Sequence, residues 1–579
     1  MDRPASQSPV IGGEPASWAG GGVSKDVYLR AVLGQTPRLL GLLNRNSCSA
    51  TYGCFDRNYW HYRVVDTPSA RCQEAVLTLA LLHRIPGTDY TGREPLLRWV
   101  GAGLRYWLTI QRPDGSFDEW YPNESSFVAT AFTTYAISET ALLLGTGALE
   151  DWPSLERGLV RAGRWLLAGG EARALNQVAG SAVALYNVGL LTGDRRFEEG
   201  ASERVHALRR LQSGEGWLAE YGGADLGYLS LAVAYLAKLY RKSRWPHAAQ
   251  VAGAGMGFLE MFLHRDLTAG GDYGSRLTEY LIPDGFEILA PEGEAARTLR
   301  AFARAMVAHG KGVTVAWLDD RYLCYNAYNL LEAFCYGETA VAGEAPAASA
   351  VSAAAAFRSF PDAGIAVVKG PRCEVVVNTH RGGAFKCVFS GGVTIGDAGA
   401  VALSPRREIL YAGIWQPSAE CTVRPDQVLV KGVLARVRET PLVPWRNVLL
   451  RMFQLTLGRV RGISVRVKNL LRDLLIMPRT HSAASYERSI RLGADALVVE
   501  DTIRWAPPVQ ISRVVVGSRG SFLYTPSSKF FSAADLYEHP TVIDTRGGDR
   551  GAVRIAREYD LAGSLVNLSV SHADDGGAG

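Results

Sequence analysis

Residues 215–240 read EGWLAEYGGADLGYLSLAVAYLAKLY. The first half is a turn rich in glycine, aromatic and acidic residues, whereas Tyr228–Tyr240 carries apolar residues at three- and four-residue spacing. That spacing predicts an α-helix. Glycine-rich turns beside Trp, Tyr and Glu are poor core material, so we expect this turn to border a cleft at the start of the helix.

The same helical pattern extends over the chain from about Asp26 to Tyr336. Further helices are predicted at 70–83, 95–111, 124–144 and 174–191. Short breakers separate about a dozen helices, and short links make neighbouring helices antiparallel. Six such pairs closed into a ring would form an (α/α)6 toroid. An open solenoid is the alternative, but it requires a repeat of fixed period, and the sequence has none.

The composition changes abruptly to Ala, Gly, Pro and Ser at residues 339–356. Beyond this linker, short alternating runs rich in Val and Ile recur between turn residues, which predicts an antiparallel β-sandwich. These runs are 364–369, 373–379, 384–389, 428–438, 496–503 and 512–517. The predicted organisation is therefore a flexible N-terminus (1–25), a toroid (26–338), the linker (339–356) and a sandwich (357–579).

One segment of the predicted sandwich, residues 445–479, returns to helical spacing. It carries eight basic residues and a single acid, Asp473. The segment is either a helical hairpin packed on the rest of the protein, with solvated arginines, or a surface for anionic lipid or glycan and hence a peripheral membrane contact.

Composition restricts the classes of function. The 579 residues include 47% hydrophobic and 21% charged residues, which is typical of a globular protein. A net charge of +5 does not indicate a nucleic-acid partner. The eight cysteines form no metal-binding pattern, and no long apolar span or secretory signal is evident. We therefore expect a cytoplasmic protein; the oligomeric state is not predicted.

Polar stretches near predicted helix ends are the candidates for a cleft. They are 114–124, 176–177, 215–228, 270–280 and 319–322 with Tyr325 and Asn326. A further stretch, 52–62, is dense in aromatic and charged groups and is either a loop over the toroid mouth or a structural plug. The predicted substrate-binding residues are Arg57, His61, Glu119, Trp120, Tyr121, Trp217, Glu220, Tyr221, Tyr273 and Arg276.

Three of these features together resemble heparinase II/III-type lyases and related alginate lyases. The 215–228 stretch is similar to the turn that ends in a Tyr opening the next helix, and Asn176-Gln177 lies where those lyases have an Asn-His pair. Residues 378–385, followed by Gly396–Gly399, resemble the His-x-His segment and the Asp-x-Gly after it. The resemblance implies a toroid-plus-sandwich fold and β-elimination from a polysaccharide that contains uronic acid.

The resemblance also implies catalytic roles. Tyr228 would be base and acid, Asn176 and Gln177 would neutralise the substrate carboxylate, and His380 would donate from the sandwich. An unperturbed Tyr titrates near 10, so Tyr228 needs a cation such as Arg276 nearby. The chain departs from the pattern at Gln177 and Asn378, where His is usual; catalysis would then rest on Tyr228.

Other interpretations of these residues stay open. Tyr228 could be a core or capping aromatic, Asn176-Gln177 a helix cap, and His380 a surface or inter-domain residue. No cofactor is required, although His380 and Asp397, with His481, could hold Zn or Ca.

Three other functions are alternatives to the lyase. One is a non-catalytic glycan-binding or assembly protein of exopolysaccharide biosynthesis. Another is a toroid hydrolase or epimerase that uses paired carboxylates such as Glu119 and Asp272. The third is a membrane-surface protein of glycan export.

Overall fold

The computed structural model of the chain describes residues 23–338, 356–437, 443–460, 463, 466–467, 470, 481–493, 495–519, 540–545 and 551–573. The helices in these residues are α1 (Asp26–Leu42), α2 (Arg57–Trp60), α3 (Ala75–Arg84), α4 (Glu94–Thr109), α5 (Phe127–Leu144), α6 (Trp152–Ala168), α7 (Leu175–Thr192), α8 (Arg195–Leu211), α9 (Leu226–Ser243), α10 (Pro246–Leu259), α11 (Asp284–Leu289), α12 (Glu294–Ala308), α13 (Asp320–Tyr336) and α14 (Pro444–Leu455).

The strands within the described ranges are β1 (Ala356–Phe360), β2 (Ile365–Lys369), β3 (Cys373–Asn378), β4 (Ala384–Phe389), β5 (Thr394–Asp397), β6 (Val401–Leu403), β7 (Ile409–Tyr411), β8 (Glu420–Val423), β9 (Gln427–Val437), β10 (His481–Leu492), β11 (Ala496–Trp505), β12 (Arg513–Val516), β13 (Thr541–Asp544), β14 (Gly551–Asp560) and β15 (Leu565–Ala573).

Residues 23–338, which are described without a gap, form a closed double ring of helices. In the inner ring each helix packs on the next, and α13 packs on α3 to close the circle; these helices are α3, α5, α7, α9, α11 and α13. The outer helices are α1, α4, α6, α8, α10 and α12. The predicted (α/α)6 toroid is confirmed.

The inner helices form the ring because they are apolar on nearly every side. Helix α5, for example, buries residues from Phe127 to Ala141. Its length and composition would also suit a membrane span, but 78% of it is buried within the protein. A helix that is hydrophobic all round belongs in the interior of a large domain, and α5 is such a core helix.

A buried polar network occupies the centre of the ring. The Lys238 ammonium lies 2.7 Å from Asp284 and 2.8 Å from Glu332, and Tyr135 donates to Glu332. Burial raises the pKa of Glu332 to about 7, against the opposing effect of Lys238, because one lysine serves two carboxylates. These groups come from α5, α9, α11 and α13, so the network joins helices across the ring.

The described strands form two antiparallel sheets. One has the order β1-β2-β3-β4-β5, and the other has β13-β12-β6-β7-β9-β10-β11-β14-β15, with β8 paired to β9. The predicted β-sandwich is confirmed because apolar side chains from both sheets share one core.

The smaller sheet lies between the toroid and the larger sheet. Alternate residues such as Val375 and Val377 face the larger sheet, whereas Val367 and Val376 join the toroid core. Both faces are buried, which explains why β3 and β4 are buried along their whole length. The order of layers is therefore toroid, smaller sheet and larger sheet.

Two sequence predictions fall largely outside the described ranges. The predicted linker 339–356 is described only at its last residue, and of the predicted hairpin 445–479 the structure describes α14, a short 3-10 turn (Leu457–Arg459) and isolated positions beyond. Helix α14 rests on the rim of the toroid, where the Asn123 amide donates to the Gln454 carbonyl at 2.8 Å.

Candidate functional site

Tyr228 lies in the first turn of inner helix α9, at the end of the toroid that faces the sheets. Its side chain is partly exposed. Its hydroxyl oxygen is 3.5 Å from that of Tyr322 on α13, and its ring is edge-on to Tyr280, with centroids 6.2 Å apart. Three inner-ring segments therefore bring phenols together at the mouth of the ring.

Asp225 holds this arrangement together. One carboxylate oxygen caps α9 by accepting from the Tyr228 amide at 3.3 Å and also accepts from the Thr278 hydroxyl. The other accepts from the Arg276 amide at 2.9 Å and the Thr278 amide at 3.3 Å. Asp225 thus fixes the start of the helix and the loop that carries Arg276 with a single side chain.

Gly227 is required by the same packing. A Cβ at this position would lie 2.6 Å from the Thr278 hydroxyl oxygen and 2.7 Å from the Tyr280 ring. Any larger residue would push the 276–280 loop away from α9.

Arg276 is the cation beside the phenols. Its guanidinium lies 4.7 Å from the centre of the Tyr221 ring, and its Nε is buried without a hydrogen-bond partner. Burial raises the pKa of Tyr228 well above its ordinary value, with Tyr322 and Tyr280 adding to the rise, while Arg276 acts in the opposite direction. The resting phenol is therefore protonated at neutral pH.

Asn176 and Glu220 form a buried pair at the same mouth. The Asn176 amide, in the first turn of α7, donates to the Glu220 carboxylate. Burial raises the pKa of Glu220 well above its ordinary value, and Arg276 opposes the rise. Gln177, next to Asn176, is partly exposed. The Asn176 amide, the Glu220 carboxyl and the Arg276 guanidinium thus border one region with Tyr228, whose pKa is influenced by both Arg276 and Glu220.

A second group of aromatic and cationic side chains continues the mouth toward α3 and α13. The Arg71 guanidinium lies 3.7 Å from the centre of the Tyr325 ring and contacts Glu74 at 2.7 Å. The Arg321 guanidinium lies 4.0 Å from the centre of the Trp120 ring, which is 43% exposed. An arginine beside an exposed aromatic ring, as in the Arg321–Trp120 pair, suits a polar, anionic, ring-shaped ligand, whereas the Tyr325 ring is buried.

The remaining predicted residues on the rim differ in accessibility. His61 is exposed, and its ring lies edge-on between Trp60 and Tyr62; Arg57 lies over the Tyr62 ring. Glu119 is buried beside Ser126, and Tyr121 is partly exposed. Their loops adjoin the mouth, since Ser69, which follows the 57–66 loop, lies 3.3 Å from the Tyr325 hydroxyl.

His380 lies on the other side of the 220–223 turn. Its ring is edge-on to Trp415 at 5.0 Å, and Trp415 in turn packs close to Gly223. Burial lowers the pKa of His380, while Glu215 and Asp362 oppose this effect, and its Nδ1 is buried without a partner. None of its contacts in the described residues is with Tyr228 or Asn176. His380 is a residue of the junction between toroid and sheet.

Asp397 is a counter-ion for buried arginines. Its carboxylate accepts from Arg488 at 3.0 Å and Arg557 at 2.9 Å, and from the Gly399 and Gly517 amides. No group of three His, Cys, Asp or Glu suited to a metal occurs in the described parts of the chain. The side chain of His481 is outside them. The structure therefore pairs Asp397 with arginine and not with His380.

Tyr273 and Trp217, predicted to bind substrate, are core residues instead. Tyr273 is fully buried, with its hydroxyl 3.0 Å from His264, because the chain after Gly271 tucks beneath the smaller sheet. Trp217 is 8% exposed and donates to Glu215 at 2.9 Å. Asp272 is also fully buried, and it pairs with Arg519 at 3.2 Å. The carboxylate pair Glu119 and Asp272 therefore does not form an open hydrolytic site.

Three residues near the mouth of the ring were not predicted as site residues from the sequence: Arg71, Tyr280 and Tyr322. Tyr280 and Tyr322 belong to the candidate polar stretches 270–280 and 319–322, and the place of these stretches near predicted helix ends is the available signal. Arg71 showed only the signature of a helix start. Tyr280 and Tyr322 meet Tyr228 across the ring, and Arg71 meets Tyr325. Contacts between residues so far apart in sequence cannot be recognised from local spacing.

No family model matches the chain, and no curated protein matches it in sequence. Among solved structures, the protein is similar to a xanthan lyase of Paenibacillus, with a TM-score of 0.51 and 10% sequence identity over 94% of this chain. A match to the chondroitin AC lyase of Streptomyces coelicolor A3, solved with chondroitin sulphate, has a TM-score of 0.49 and 12% identity, covering 85% of this chain and 71% of that one.

The chain shares the fold of that xanthan lyase. The resemblance inferred from the sequence is thus confirmed at the level of fold. The chain corresponds to 56% of the length of the xanthan lyase. At 10% identity, the likeness concerns the architecture alone, and the chemistry has to be argued from the residues at the mouth of the ring.

Proposed function

We propose that the protein is a polysaccharide lyase that acts by β-elimination on a glycan containing uronic acid. The observation that carries this proposal is the position of Tyr228: a partly exposed phenol at the mouth of the toroid, near the Arg276 cation and the Glu220 carboxyl, to which the Asn176 amide donates. The group combines a proton-transfer residue with donors for a carboxylate.

The proposed reaction begins with the substrate carboxylate near Arg276 and Gln177. A positive charge and an amide donor neutralise the carboxylate, so that negative charge can build up when the neighbouring C5–H bond breaks. The electron pair of that bond forms the C4=C5 double bond while the C4–O bond breaks. The departing oxygen takes a proton, and the new chain end is an unsaturated uronate.

Tyr228 is proposed to move both protons. Its raised pKa keeps the phenol protonated at rest, which suits the donation of a proton to the leaving oxygen. To remove the C5 proton, the phenol must first ionise, and Arg276 favours the ionised form. The Asn176–Glu220 pair is proposed to hold the Asn176 amide at the mouth of the ring.

The test is a panel of uronate polysaccharides incubated with the purified protein, in which the ultraviolet absorbance of the unsaturated product is followed. The proposal expects product from at least one acidic glycan and none from neutral glycans. Saturated products from any glycan would indicate hydrolysis, and a folded protein that yields no product from the whole panel would contradict the lyase proposal.

A glycan-binding protein without turnover is the second candidate. Two observations favour it. Among the described residues, no histidine contacts Tyr228 that could accept its proton, and burial opposes ionisation of the phenol. Calorimetric binding of an acidic polysaccharide, with no product after long incubation, would select this function. Measurable product formation would remove it.

A further inference from the structure

Helix α14 presents its apolar side to solvent. Its large exposed hydrophobic residues are Trp445, Val448, Leu449, Met452 and Leu455, which fall at helical spacing on one stripe. Trp445 is 61% exposed and Met452 is 60% exposed, whereas the polar Gln454 is 2% exposed. The helix therefore packs on the protein through Gln454 and turns its apolar stripe outward, while Arg446 and Asn447 are exposed as well.

The stripe continues beyond the helix. Leu457, at 58% exposure, and Val460, at 55%, follow directly along the chain. A contiguous apolar surface of this kind on a folded protein marks an interaction site.

Two polar contacts fix α14 in this orientation. The Asn123 amide donates to the Gln454 carbonyl at 2.8 Å, and the Arg451 guanidinium lies 2.9 Å from the Asp66 carboxylate. Asn123 and Asp66 belong to the two loops that border the mouth of the toroid. The stripe is thus held, exposed to solvent, at the rim of the candidate site.

The charge around the stripe is positive. Residues 443–460 contain three arginines and no acidic residue. Arg446 and Arg459 are exposed, and Arg446 lies over the Trp445 ring, 5.3 Å from its centre. A tryptophan and arginines beside an aliphatic stripe are the groups that bind at the interface between lipid headgroups and acyl chains.

We propose that α14 is a peripheral membrane anchor, which inserts its apolar stripe into the surface of a bilayer of anionic lipids. The arginines bind the phosphate headgroups, and the stripe enters the outer acyl region to a depth of about 5–10 Å. A soluble acidic polysaccharide would satisfy the arginines but offers no apolar surface for the stripe. The anchor would place the mouth of the toroid close to the membrane surface.

The test is flotation of the full chain with vesicles of phosphatidylcholine alone or mixed with phosphatidylglycerol. We expect binding to the mixed vesicles, weaker binding at high salt, and little binding to phosphatidylcholine alone. The double variant Leu449→Glu, Met452→Glu should reduce the bound fraction about tenfold or more, because both charges would enter the acyl region. The variant Arg446→Glu should weaken binding to anionic vesicles only.

The matched control is Val566→Glu, Leu568→Glu, which makes the same type of change at exposed positions of β15. It should bind vesicles like the wild type. The proposal is overturned if the wild type does not float with anionic vesicles, or if the α14 variant floats equally well. It is also overturned if light scattering shows that the wild type is a dimer and the α14 variant a monomer, since the stripe would then bind a second copy. None of these readouts depends on catalysis.

Discussion

At the scale of single residues, the proposed elimination depends on the phenol of Tyr228. We expect Tyr228→Phe to lower kcat about 10²–10⁴-fold, since general acid–base catalysis contributes that much, while the affinity for the polysaccharide changes little. Product absorbance measures the rate, and calorimetry measures the affinity.

The matched control is Tyr240→Phe at the opposite end of the same helix, where the hydroxyl donates to Glu292 on the surface. It should retain full activity. If Tyr228→Phe retained wild-type kcat, the proton would have to move through another group.

Arg276 is expected to control the pH at which Tyr228 works. Its positive charge favours the phenolate, so its removal should raise the pKa of Tyr228 further. In Arg276→Gln, the rise of kcat/KM with pH should therefore move to higher pH, and each unit of displacement lowers the rate at neutral pH about tenfold. Arg276→Lys should shift the profile less. An unchanged profile in the glutamine variant would show that the two groups are not coupled.

At the scale of elements, the start of α9 and the 276–280 loop are coupled through Asp225. Asn is also a good N-cap, so Asp225→Asn should keep the helix start. Its NH₂ group cannot accept from amides, however, and the Arg276 and Thr278 amides would lose their acceptor. We expect kcat/KM to fall about 10-fold to 100-fold, with the polysaccharide affinity affected as well, because Arg276 is displaced.

Asp194→Asn is the control for this prediction, since Asp194 caps outer helix α8 away from the mouth. Its activity should equal that of the wild type. Equal activities in both variants would show that Asp225 does not position the site.

At the scale of the whole molecule, Asp397 joins the two sheets. It lies on β5 of the smaller sheet, and its partners Arg488 and Arg557 lie on β10 and β14 of the larger one. Asp397→Ala would leave two buried cations with less compensation, although Asp501 still pairs with both. We expect the free energy of unfolding at neutral pH to fall by about 3–5 kcal/mol.

The pH dependence of this contribution has a definite sign. The ion pairs hold the pKa of Asp397, despite burial, well below its ordinary value. Its stabilisation is therefore present above the unfolded-state pKa near 4 and is lost as the pH falls below that value. Thermal unfolding at neutral and acidic pH should show a smaller difference between variant and wild type in acid.

The exposed pair Arg513–Asp544 provides the comparison, and Asp544→Ala should change stability little. If Asp397 instead served a metal, a chelator would lower the melting temperature of the wild type toward that of Asp397→Ala. We expect no such change.

Much of the architecture could be predicted from the sequence because the spacing of apolar residues along the chain differs between helices and strands. The inner helices are long and periodic, and strands such as β4 begin and end where their apolar runs do. The phenol cluster could not be predicted in full, since Tyr228, Tyr280 and Tyr322 meet only when the ring closes. The glycine neighbours of Tyr273 predict a position in the cleft, but the smaller sheet covers this residue. The packing of that sheet against the toroid cannot be predicted from the spacing of residues along the chain.

The role of Tyr228 is tested most directly by a crystal structure of Tyr228→Phe with a uronate oligosaccharide bound. We expect a sugar carboxylate within hydrogen-bonding distance of Arg276 or Gln177, with C5 of that sugar facing the ring at position 228. An oligosaccharide bound elsewhere, with the mouth of the toroid empty, would rule out elimination at this site.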